Sequence, residues 1–71
     1  MRYVVILEKG EEGYGAYVPD LPGCVAVGDT SDEALRLIQE AIEFHIEGLR
    51  RHGLPVPEPH SSSLYVEVPA A

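Results

Sequence analysis

Seventy-one residues carrying twelve acidic against five basic side chains have a formal net charge of −7. That length excludes more than one domain and buries only about 60% of the unfolded surface, so a single core is marginal and self-association is a common remedy. Hydrophobic residues at 45% exclude a disordered chain, and so few Lys and Arg residues disfavour direct nucleic-acid binding, which needs them against phosphate.

Five apolar residues, Tyr3 to Leu7, stand between Met1-Arg2 and Glu8, too few for a signal peptide, and no apolar run is long enough to span a membrane. The lone Cys24 cannot form an internal disulfide and fits a reducing cytoplasm. Residues 2–8 read as a first strand. Tyr3, Val5 and Leu7 alternate with Val4 and Ile6, so both of its faces are apolar, as in a central strand covered on two sides. Lys9 to Gly13 reads as a wet turn whose glycines tolerate positive φ. A second strand over 14–18 completes a hairpin.

Pro19-Asp20-Leu21-Pro22-Gly23-Cys24 is the most constrained stretch in the chain. Pro19 cannot donate to a ladder and ends the strand. Pro22 pre-sets one φ angle and Gly23 accepts a positive one, so a tight turn sends a third strand, 24–28, back beside the second. Thr30-Ser31-Asp32-Glu33 has the spacing of a capping box, with Thr30 as N-cap and Glu33 reaching back to it. The helix that follows runs from about 31 to 51, stopped by His52-Gly53 and Pro55. Ala34, Leu35, Ile38, Ala41, Ile42, Ile46 and Leu49 share one side of it, and Leu37 and Phe44 widen the arc beyond what one sheet contact needs. Pro55, Pro57 and Pro59 suit an extended polyproline II linker. Leu64, Val66 and Val68 then alternate with Tyr65 and Glu67, the pattern of a fourth strand over 64–68. An antiparallel meander followed by a right-handed crossover predicts an α+β, β-β-β-α-β fold over residues 1–71. The sheet order is 3-2-1-4, with the helix on one face.

The run from Tyr17 to Cys24, then Ala26, Gly28-Asp29-Thr30, Glu33-Ala34-Leu35 and the prolines after the helix, resembles the HicB antitoxins of bacterial HicA–HicB toxin–antitoxin pairs. The resemblance extends over Arg2 to Val68. It implies a truncated ribonuclease-H-like unit and a protein partner: a small, basic, double-stranded-RNA-binding-like toxin that cleaves messenger RNA. An acidic chain suits such a surface. Many members of that family add a DNA-binding domain after the fourth strand, whereas three residues follow Val68 here. No C-terminal DNA-binding domain, and so no autorepression by this chain alone, is expected.

The residues argue against an enzyme. Ribonuclease-H-type chemistry needs clustered carboxylates holding two metal ions, and Val4, Val5 and Ile6 fill the middle of strand one. Cys24 has no His or Asp at a legible pairing spacing and reads as a small structural residue. His45, His52 and His60 lack metal-ligand spacing, and His45 on the apolar arc reads as a core or interface residue. Tyrosines 3, 14, 17 and 65 lie on strands without a basic groove, and Gly10, Gly13 and Gly15 precede no phosphate-binding helix start. No metal or cofactor is expected. Two readings stay open: a toxin-neutralising module, and a stand-alone homo-oligomeric structural or regulatory domain. Tyr3, Val5, Leu7, Leu37, Phe44 and His45 are the candidate contacts for a partner or a second copy.

Overall fold

The computed structural model describes residues 1–70. Strands β1 (Ile6–Lys9), β2 (Tyr14–Tyr17) and β3 (Val25–Gly28) form an antiparallel sheet in the order β1-β2-β3, followed by helix α1 (Ser31–Arg51). Ile6 pairs with Tyr17 and Leu7 with Ala16 across the first hairpin, whose turn is closed by Gly10 N–H donating to the Gly13 carbonyl at 2.7 Å. Ala16 then pairs with Ala26, and Tyr17 with Val25.

Two tight turns fill the link between β2 and β3. Leu21 N–H donates to the Val18 carbonyl at 3.1 Å, and Cys24 N–H donates to the Leu21 carbonyl at 3.0 Å. In the second turn Pro22 and Gly23, with φ of 83°, occupy the central positions of a type II geometry. Between the turns the fully buried Leu21 side chain drops into the core. A side chain at Gly23 would meet nothing within 4 Å, so its cost would be purely conformational. We expect Gly23→Val to lose at least ~1 kcal/mol, read as a lower midpoint in urea with an unchanged slope.

The core comprises Ala16, Val18, Leu21, Cys24, Ala34 and Ile38, with Tyr3, Val5, Tyr14, Ala26, Ala41, Ile42 and Ile46 packed around it. Thr30 caps the helix, its Oγ1 accepting from Glu33 N–H at 3.1 Å. The Glu33 carboxylate reaches one residue further back than the sequence suggests, accepting from Asp29 N–H at 2.8 Å. At the other end Leu54 N–H donates to the Leu49 carbonyl at 2.9 Å, and Gly53 takes a φ of 70°.

Two expectations need correction. The ladder of the first strand begins at Ile6 rather than Arg2, because residues 2–5 find no paired neighbour. The sheet has three strands, not four, so the order 3-2-1-4 is not formed within the chain: residues 64–68 stand outside the sheet. Their projection gives a radius of gyration of 14.2 Å and extents of 51 × 27 × 16 Å, against a radius of about 11 Å for a compact chain of this length. Tyr3 and Val5, two of the candidate contacts, are half-buried and pack against the core.

Candidate protein-binding surface

The sheet offers one covered and one bare face. Cross-strand partners project to the same side, and Ala16 lies in the core. Its neighbours Leu7 and Ala26 therefore sit on the helix side, while Ile6, Tyr17 and Val25 form a row on the other. On that outer face Gly15 opposes Val27, and having no side chain it leaves Val27 75% exposed, beside Val25 at 63%. The sequence reading did not single out these two exposed valines. The signal was present in the apolar run Cys24 to Val27, in which only the alternate residues fit the core.

The helix lies mainly over β3 and β2 and touches β1 least. An open groove therefore remains between α1 and the start of the first strand, lined by Met1, Tyr3, Ile42 and Ile46 and rimmed by Glu43, Glu47 and Arg50. On the opposite flank Phe44 stands 80% exposed, while Leu37 and His45 are half-buried. The six candidate contacts thus do not form one patch. Tyr3 and Val5 are half-buried against the core, with Tyr3 also lining the groove, Leu7 lies on β1, and Phe44 is the freest of the six.

A buried carboxylate ties the segment after the helix to the proline turn. Asp20 accepts from Ser61 Oγ at 2.6 Å, and from Ser61 N–H and His60 N–H at 2.9 Å each. His60 Nε2 lies 3.2 Å from the same carboxylate. The Ser61 hydroxyl and amide, with the His60 amide and ring adding to them, lower its pKa to about 2, against the opposing effect of burial. The Tyr3 hydroxyl donates to the Pro57 carbonyl, a second clasp on the same segment. Sequence reasoning placed Asp20 in the turn and missed this role, since nothing local links it to a serine 41 residues away.

Charge on the exposed helix side is largely paired, Arg36 with Glu40 at 2.9 Å and Arg51 with Glu47 at 2.7 Å. Burial pushes the Cys24 thiol up, away from the reactive thiolate. Among the described residues no three His, Cys, Asp or Glu side chains stand together to hold a metal, and no helix is long and apolar enough to cross a membrane. What the surface offers is apolar area and acidic charge, the chemistry of protein recognition.

Comparison with known proteins agrees with that reading. The family model described as "HicB_like antitoxin of bacterial toxin-antitoxin system" matches residues 3–70. An uncharacterised 14.9 kDa protein of Haemophilus phage HP1 is 41% identical over 97% of this chain and 52% of its own length. A UPF0150 protein of Thermoplasma acidophilum is 43% identical over 93% of this chain and 97% of its own. Antitoxin HicB 2 of Photorhabdus laumondii is 37% identical over the whole chain and 52% of its own length. The chain therefore spans about half the length of the phage protein and of this antitoxin, and nearly all of the Thermoplasma protein. A solved chain of a "HicA3 and HicB3 toxin-antitoxin complex" superposes with a TM-score of 0.73 at 35% identity, covering 84% of this chain and 70% of that one. With three antiparallel strands and one helix in the same arrangement, and a family match over nearly its entire length, this chain belongs to the HicB_like antitoxins of bacterial toxin–antitoxin systems.

Proposed function

We propose that this protein is the antitoxin half of such a pair, binding a small basic HicA-type ribonuclease toxin and covering its RNA-facing surface. The observation that carries the reading is the family match over residues 3–70, joined to a net charge of −7. An acidic surface steers a basic partner into place and mimics the charge of its RNA. The protein acts by binding rather than by catalysis, in the cytoplasm. It does not hold nucleic acid itself, since two of its five basic residues already pair with glutamates. The family resemblance also supports describing the domain as a truncated ribonuclease-H-like unit.

The test is titration of a small basic HicA-type toxin from the same host with the purified protein. An equimolar complex should form, cleavage of messenger RNA should fall at least tenfold, and affinity should weaken steeply as salt is raised through the range where the Debye length shrinks from about 10 Å to 3 Å. A toxin that keeps cleaving at full rate in excess of this protein would exclude the reading. A second reading, a self-associating domain without a toxin, is favoured by the bare Val25–Val27 face. Self-association into a homodimer or larger assembly, through the uncovered sheet face or edge, is compatible with both.

A further inference from the structure

Residues 64–68 are written as a strand and have nothing to pair with. Leu64, Val66 and Val68 alternate with Tyr65 and Glu67, and β-branched and aromatic residues fill most of the segment. Yet Tyr65 is fully exposed and Leu64, Val66 and Val68 are nearly so. Among the described residues no backbone hydrogen bond joins this arm to the body. A lone apolar strand in water gains nothing to offset the entropy of holding it extended, and its open edge invites another chain.

The body has a matching vacancy. β1 is the outer strand of the sheet, and residues 2–5 leading into it are likewise unpaired. Beside them runs the groove of Met1, Tyr3, Ile42 and Ile46, and no strand pairs along the outer side of β1. The base of the arm is clamped on this side: residues 59 and 61–63 line a cleft with Arg2, Tyr3 and Val4, and Asp20 fixes His60 and Ser61. The arm therefore starts beside the edge that lacks a strand, and its own side chains remain exposed.

We infer that two copies exchange arms, residues 64–68 of each adding a fourth strand to the free β1 edge of the other. Leu64, Val66 and Val68 of one copy fill the groove under the partner's helix, and backbone hydrogen bonds are made along residues 2–8. Glu67 is the one charge in the strand of the arm, and Arg2 and Lys9 bracket the edge that receives it. A twofold exchange fills the free β1 edge of both copies at once. The inference is independent of any toxin.

Sedimentation equilibrium and hydrogen exchange on the full chain test it. The parent should be a dimer at low micromolar concentration, with protected amides at 64–68 that lose protection on dilution. Val66→Pro removes a ladder donor on an exposed arm, so the body should keep its circular dichroism while the dimer dissociation constant rises ~100-fold or more. The double variant Leu64→Glu, Val66→Glu should do the same by charge. Val27→Lys, on the bare sheet face, should leave the dimer intact. A monomeric parent, with its arm either free or folded back, would overturn the inference. So would a dimer that Val66→Pro does not weaken, or one that Val27→Lys alone dissolves.

Discussion

Replacing Gly28 with alanine will destabilise the fold by about 3 kcal/mol, through overpacking against backbone that cannot move aside. A β-carbon built there stands 2.6 Å from the Ala34 nitrogen and 3.0 Å from the Glu33 carbonyl carbon, at the first turn of α1. That turn is fixed from two sides. Thr30 and Glu33 cap it, and the buried Ala34 seats it on the core. The helix must therefore lift off β3, the strand it packs against most closely. For a domain of 60–100 residues each kcal/mol moves the midpoint by about 4–8 °C, so the variant should melt at least ~12 °C below the parent. Gly48→Ala is the matched control. Its β-carbon meets nothing within 4 Å in the last turn of the helix, and it should stabilise by up to about 0.5–1 kcal/mol. Equal melting temperatures for Gly28→Ala and the parent would show that the helix start is not held where it is drawn here.

Asp20→Ala should free the segment after the helix. The carboxylate collects the Ser61 hydroxyl and amide and the His60 amide, all within 2.9 Å. Once it is gone, amides 60 and 61 should exchange like those of an open loop. A limited protease should then cut between Pro59 and Leu64, where the parent resists. The same contact sets a pH dependence. The folded carboxyl titrates at about 2 rather than at the ordinary 3.8. The unfolded chain therefore takes up the proton first as pH falls. The contribution is fully present above the unfolded value and fades as pH drops through 3.8 toward about 2. Asp20→Asn, which cannot ionise, should show a flatter stability profile over that interval and converge on the parent at its acid end. Parallel profiles for the two proteins would remove Asp20 from the clasp.

The segments that sequence alone determined are those whose signals act within a few residues. Thr30 and Glu33 open the helix, and Gly53 with Pro55 closes it, because capping is a contact between neighbours in the chain. Pro22-Gly23 makes its turn for the same reason: the two φ angles are properties of those two residues. Composition and charge were enough to point to one small acidic domain, and the ordered motifs from Tyr17 to Leu35 were enough to point to its family.

Which face of a strand is buried was another matter. The first strand is apolar on both sides, so its sequence could not say whether Tyr3, Val5 and Leu7 or Val4 and Ile6 would meet the helix. Register decided that, because pairing Leu7 with the buried Ala16 commits one set to the helix side and the other to the bare face. The clasp between Asp20 and Ser61 likewise exists only because the chain returns across 41 residues, and a turn aspartate looks the same locally with or without it. The segment at 64–68 shows the limit most plainly. Its alternation is that of a strand, but a strand becomes part of a sheet only where an edge is within reach. Only the tertiary structure, by clamping His60 and Ser61 and projecting the residues beyond them, decided that its own chain does not supply that edge.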